Sequence, residues 1–183
     1  MSVKKILING LAGILLISGI AMIAMGTNNK FKTKKAQDKY IQSFEKSVKE
    51  GKIEDTTVLG ILEIPNIGLK VAVKEGTEGD TIDYAVGHFL NTAMAGENGN
   101  FALAGHRNYS TGEFFLKLDQ LKKGDIIKFT TYDSNYTYEV SGSEIVKPNN
   151  MDVLKETSTP TITLVTCSDD GSERLIIKGS LKK

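Results

Sequence analysis

The 183-residue chain is 40% hydrophobic, carries 23 basic and 22 acidic side chains, and contains 2 His, one Cys and no Trp. A formal charge of +1 gives no footing for nucleic acid. A lone Cys excludes a disulfide framework and, with two His, makes a structural zinc site untenable; neither cofactor nor metal is expected. Residues 1–58 hold 10 Lys and 5 acids, whereas residues 59–183 hold 13 basic and 17 acidic groups. A basic leader therefore precedes a mildly acidic body.

Ile6 to Met25 is a run of 20 uncharged residues behind Lys4 and Lys5. As a helix it spans the roughly 30 Å hydrocarbon core of a bilayer. It is longer than the apolar region of a cleaved signal, so an uncleaved anchor over residues 1–26 is expected. Lys30, Lys32, Lys34, Lys35 and Lys39 follow the span, so charge alone does not fix which side holds the body.

Residues 27–58 read as a partly helical stalk. From Lys34 to Glu50, Ile41, Phe44 and Val48 fall at helical spacing with Tyr40 beside them, and Gly51 suits a helix stop. Packing of this stripe on the body is favoured over a stalk lying on the membrane.

Residues 59–183 form one expected domain. Its β-favouring runs are Ile61–Ile64, Leu69–Val73, Asn100–Ala104, Ile126–Tyr132, Tyr136–Val146, Thr161–Thr166 and Leu175–Lys178. Gly, Pro, Asn and Asp clusters separate them, which predicts an all-β sandwich or barrel. Short helical pieces are expected at Thr81–Ala85, Phe114–Leu118 and Met151–Leu154. The acidic stretch Glu75–Asp83 lacks the spacing of an EF-hand loop and reads as solvated loop rather than a calcium site.

Cys167 ends the run Thr161–Thr166 and enters the polar segment Ser168-Asp169-Asp170-Gly171. A free Cys is ordinarily buried filler, but a strand exit is where a rigid scaffold presents reactive groups. A thiol nucleophile needs a partner that takes and returns a proton, and imidazole titrates in the right range. His106 follows an apolar strand; His88 lies in Val86-Gly87-His88-Phe89. Against 21 Lys there are two Arg, Arg107 and Arg174, next to His106 and seven residues after Cys167. Arg in a Lys-rich chain indicates a planar, permanently charged fork suited to carbonyls or a developing oxyanion. No third member orienting His106 is evident, Asp169 and Asp170 included.

Thr163-Leu164-Val165-Thr166-Cys167 followed by Arg174, with Gly99-Asn100 and Ala104-Gly105-His106-Arg107 upstream, resembles the signature of the sortases, the cysteine transpeptidases of the Gram-positive cell surface. Gly60-Ile61-Leu62-Glu63-Ile64-Pro65 resembles the family's first strand, and the likeness runs from about Leu59 to Ser180. It implies a closed eight-stranded β-barrel with short helices behind an N-terminal transmembrane helix. Cys167 is then the nucleophile, His106 the general acid and base, and Arg174 the group that holds substrate and stabilises the oxyanion. Thr163, Leu164, Val165 and Thr166 contribute to the substrate groove, Arg107 braces the site, and His88 is structural. The implied reaction cleaves a Leu-Pro-X-Thr-Gly (LPXTG) type surface-protein sorting signal between Thr and Gly and transfers the protein to a cell-wall amine. The implied location is the cell membrane, single-pass, with the catalytic domain outside. Nothing ahead of Leu59 resembles the lid of pilin-polymerising enzymes, and Lys147–Pro160 is too short for the class B insertion. Class D is the best match and class A the second. A related cysteine hydrolase, or a non-enzymatic barrel that binds sorting-signal peptides, stays open as an alternative.

Overall fold

The computed structural model describes residues 3–53, 55–107 and 114–182. One helix, α1 (Val3–Glu50), runs through both the expected anchor and the expected stalk. Thr27, Asn28 and Asn29 do not interrupt it, because each tolerates helical backbone and Thr27 returns its hydroxyl to the carbonyls of Ile23 and Ala24. The helix stops where anticipated: Gly51 takes φ +65°, the left-handed cap that glycine adopts without a Cβ penalty.

The two halves of α1 differ in surroundings. Leu11, Ile17 and Met22 are 61%, 69% and 72% exposed, so these side chains of the apolar half pack on nothing among the described residues. In the second half Thr33, Gln37, Phe44 and Ser47 are buried, at spacings that keep them on one face. Phe44, with Tyr40 and Ile41, packs on Val58, Ile61, Ala72 and Tyr132. Of the expected stripe, Ile41 and Phe44 dock on the body with Tyr40, whereas Val48 is 44% exposed.

The body is a closed barrel of eight strands in the order β1-β2-β3-β4-β7-β8-β6-β5. The strands are β1 (Val58–Ile64), β2 (Leu69–Glu75), β3 (Val86–His88), β4 (Gly99–Ala104), β5 (Ile126–Thr130), β6 (Asn135–Val146), β7 (Pro160–Cys167) and β8 (Arg174–Leu181). All seven expected runs are strands, and β3 is the eighth. The short helix α2 (Asp80–Tyr84) lies between β2 and β3, one residue from its expected place. Met151–Leu154 is a 3₁₀ turn as expected, whereas at Phe114–Leu118 the chain only bends before a 3₁₀ turn at Leu118–Gln120.

Inward-facing Leu62, Phe101, Leu103, Phe129, Tyr138 and Leu164 fill the barrel and are at most 1% exposed. Tyr138 is the large polar member, and its hydroxyl accepts the Gly96 N–H at 2.9 Å. Burial, which disfavours the phenolate, pushes its pKa up to about 12.

Two pairings decide where chemistry can occur. β4 and β7 are parallel, from Gly99 opposite Pro160 to Ala104 opposite Val165. β7 and β8 are antiparallel, and their last pair is Cys167 opposite Arg174. The C-terminal ends of β4 and β7 and the start of β8 therefore share one rim.

Candidate active site

The parallel register continues past the end of β4. Gly105 N–H donates to the Val165 carbonyl at 3.1 Å, and the Thr166 hydroxyl donates to the Gly105 carbonyl at 2.7 Å. These two bonds tie the chain on either side of Gly105 to the strand that delivers Cys167. A Cβ built on Gly105 would sit 2.7 Å from the Phe115 ring, so glycine is the residue that lets this aromatic close over the strand exit. Phe115 N–H in turn donates to the His106 carbonyl at 3.0 Å, fixing the backbone of the histidine.

The structure thus brings His106, Cys167 and Arg174 to one rim. Cys167 is a free, partly exposed thiol, not buried filler. The His106 side chain is 34% exposed, and its Nε2 lies 3.5 Å from Asp83 Oδ1. Arg174 directs one guanidinium nitrogen to the carbonyls of Gly171 and Glu173, at 3.3 and 2.9 Å. Both acceptors belong to its own exposed turn, so the fork is held without a carboxylate partner in these contacts.

The turn between β7 and β8 is short and self-pinned. The Ser168 and Ser172 hydroxyls and the Ser172 N–H all donate to Asp170. Led by the Ser168 hydroxyl, these bonds hold the Asp170 carboxyl down to about 2. Arg107 secures the turn from the other side, 2.7 Å from Asp169 and 3.4 Å from Asp119, with its side chain 7% exposed. Among the described residues its Nε has no hydrogen-bond partner. Arg107 therefore joins the strand exit carrying His106 to the turn following Cys167, the geometry of a brace.

The expected groove residues divide by strand alternation. Leu164 is wholly buried in the core cluster, and Thr166 is spent on Gly105. Thr163 is 2% exposed and donates to Asn100 Oδ1 at 2.7 Å. Val165 alone of the four lines the groove that also holds Phe89, Met151, Leu154, Arg174 and Ile176, a cleft of about 180 Å³. Asn100 fixes one wall of this cleft, since its amide donates to the carbonyls of Val153 and Lys155 at 2.9 and 3.3 Å. Thr163 and Asn100 line a neighbouring cleft that shares Val153 with this one.

His88 is a different case. It is 2% exposed, with Nδ1 2.9 Å from Glu75 Oε1 and Nε2 2.9 Å from the Thr92 hydroxyl. Both ring nitrogens are occupied by internal partners. Among the described residues no cluster of His, Cys, Asp or Glu is arranged to hold a metal ion.

Sequence reasoning missed Asp83 and Asn100. Asp83 lay in an acidic stretch indistinguishable from solvated loop, and nothing local announces that α2 turns it toward His106. Asn100 stood within the recognised Gly99-Asn100 pair, but a buried amide bridging to a wall 53 residues away has no sequence signal.

Comparison with known proteins adds an independent finding. The sortase domain model matches residues 62–182, which contain the barrel from Leu62 onward and every residue placed at the rim. A sortase A of Bacillus anthracis is 33% identical over 137 residues, covering 73% of this chain and 64% of that protein. A sortase D of Bacillus subtilis is 33% identical over 95 residues, covering 52% and 46%. The chain thus spans about half to two-thirds of the length of these curated relatives. A solved Clostridium perfringens sortase D5 transpeptidase superposes with a TM-score of 0.69 at 36% identity, covering 82% of this chain and 98% of that one.

Proposed function

The chain belongs to the sortase family, and from that premise we propose that it is a membrane-anchored cysteine transpeptidase acting on LPXTG-type sorting signals. The observation that carries the proposal is the rim itself, where strand register sets Arg174 opposite Cys167 and brings the β4 exit, with His106, alongside. In this reading the Cys167 thiolate attacks the Thr carbonyl carbon of the Thr–Gly bond. The C–N bond breaks, His106 gives its proton to the leaving glycine amine, and the Thr carbonyl stays on sulfur as a thioester. An acceptor amine then attacks that carbonyl and gives a proton to His106. The amide forms and the thiolate departs.

Arg174 serves the charge that develops on the carbonyl oxygen, where a preorganised donor is worth most. Its present acceptors are backbone carbonyls of an exposed turn, which a substrate oxygen can replace without stranding a buried charge. The cleft beside it, floored by Val165 and Ile176 and walled by Met151 and Leu154, is apolar enough for the Leu and Pro of the signal. The physiological acceptor is a cell-wall amine.

The apolar half of α1 is the membrane anchor, because its large hydrophobic side chains from Ile8 to Met25 stand exposed among the described residues. The body then stands outside the cell with its docked half-helix next to the bilayer. Among subclasses, class D fits best, given the extent of the likeness to the sortase D5 structure.

The test is product analysis with the full chain in detergent micelles, an LPXTG-type peptide and an amine acceptor. A peptide ligated to the amine after Thr is the expected product. Free acid alone makes the chain a hydrolase, and intact peptide across a panel of X residues and acceptors leaves a binding barrel.

A further inference from the structure

We propose that Asp83 is a positioning residue for His106, and that α1 holds it in place through Gln37. The inference rests on the transpeptidase reading for its kinetic consequences, although the contact itself does not depend on that reading. Asp83 Oδ1 lies 3.5 Å from His106 Nε2, the separation of an ion pair. It belongs to α2, a helix of 5 residues that has too few internal hydrogen bonds to hold its own position.

What holds α2 comes from outside it. Gln37 on α1 is 7% exposed and donates from Nε2 to the Tyr84 carbonyl at 2.6 Å. Its Oε1 accepts the Ala72 N–H of β2 at 2.8 Å. One buried amide thus clips the last residue of α2 to the barrel wall, immediately after Asp83. The helix that emerges from the anchor therefore also helps place a carboxylate at the catalytic rim.

The chemistry follows from which nitrogen is engaged. Nε2 is the ring nitrogen that faces Asp83; in the proposed pairing it carries the hydrogen, so that Nδ1 of the neutral ring takes a proton. The Asp83 carboxylate, at 3.5 Å, thereby orients the ring at the rim. The other groups at this rim are Cys167 on β7 and Arg174 on β8, while Arg107, next in the chain, is turned to Asp119 and Asp169. Asp83 is thus the carboxylate in contact with the ring among the described residues. It acts through His106 and has no contact with substrate in this account.

The experiment compares Asp83→Asn, Asp83→Glu and Gln37→Leu in the full chain, with the melting temperature of each checked. Asp83→Asn is expected to lower kcat about three- to tenfold, as the ring loses the carboxylate that orients it, with KM for the peptide unchanged. Asp83→Glu, which keeps the carboxylate, is expected to restore part of the rate. Gln37→Leu is expected to lower kcat in the parent but add nothing in the Asp83→Asn background, the non-additivity of residues acting through one another.

Ring NMR supplies a readout that needs no turnover. With two histidines in the chain, Asp83→Asn should shift the His106 resonances and leave those of His88 in place. Parent-like kinetics together with an unmoved His106 spectrum overturns the proposal. A shifted spectrum in a protein that turns over no peptide upholds the pairing and removes the transpeptidase reading instead.

Discussion

His88 and His106 lie on neighbouring strands, for His88 pairs directly with Leu103 while His106 follows the end of that same strand. Their environments are nevertheless opposite. His88 is enclosed, with a carboxylate on one nitrogen and a hydroxyl on the other. His106 is one-third exposed and meets a single carboxylate at ion-pair distance. An imidazole with both nitrogens committed to internal partners has no capacity left to carry a proton between substrate and thiol. The difference shows that residue type nominates a base, whereas strand register and unspent hydrogen-bonding capacity select one.

The largest test of that contrast is deletion of each group. Cys167→Ala and His106→Ala should each cut kcat/KM by at least about 1,000-fold, as expected when a nucleophile or its base is lost. Both should leave the melting temperature nearly unchanged, because both side chains are partly exposed. Arg174→Lys should retain charge but lose the fork, with a fall of about 10- to 100-fold read mainly in kcat.

His88→Phe inverts the pattern. It should preserve turnover within a few fold but lose about 1–3 kcal/mol of stability by denaturant titration, because it strands the buried partners of the ring. If instead His88→Phe is dead and His106→Ala active, the two roles have been exchanged.

A smaller effect separates the barrel interior from the rim by pH. The Tyr138 phenol, ordinarily near 10.0, is pushed up to about 12 by burial. The folded state therefore retains a proton that the unfolded chain loses, and the stability this contributes is full below pH 10 and disappears as pH rises toward 12. Thermal melts across that window should show the decline, and Tyr138→Phe should flatten it. The smallest effect lies in the exposed turn: Asp170→Ala should speed hydrogen exchange at Ser172 while changing kcat/KM less than about threefold.

Much of this architecture was legible in the residues. Seven strands were visible because each carries a run of β-branched or aromatic residues closed by turn residues. β3 was not, since Val86-Gly87-His88 is only 3 residues long and exists through its parallel pairing with β2. The expected anchor and stalk share one helix, because polar residues between an apolar and an amphipathic segment change a helix's surroundings without ending it.

At the site, Cys167, His106 and Arg174 were nominated by position and by the family pattern, and their convergence on one rim needed only strand pairing. The groove was less legible. Four consecutive residues were expected to serve it, but strand alternation sends Leu164 inward and leaves Val165 facing the cleft. Asp83 and Asn100 were beyond reach, because each acts across a distance that only the closed barrel makes short.

The most direct test of the central claim is the intact mass of the protein during the first seconds of incubation with an LPXTG-type peptide in the absence of an amine acceptor. The account predicts an adduct equal to the peptide acyl portion ending at Thr, located on Cys167, discharged by added amine and absent from Cys167→Ala. An unmodified enzyme while peptide is being cleaved, or cleavage that persists in Cys167→Ala, would contradict it.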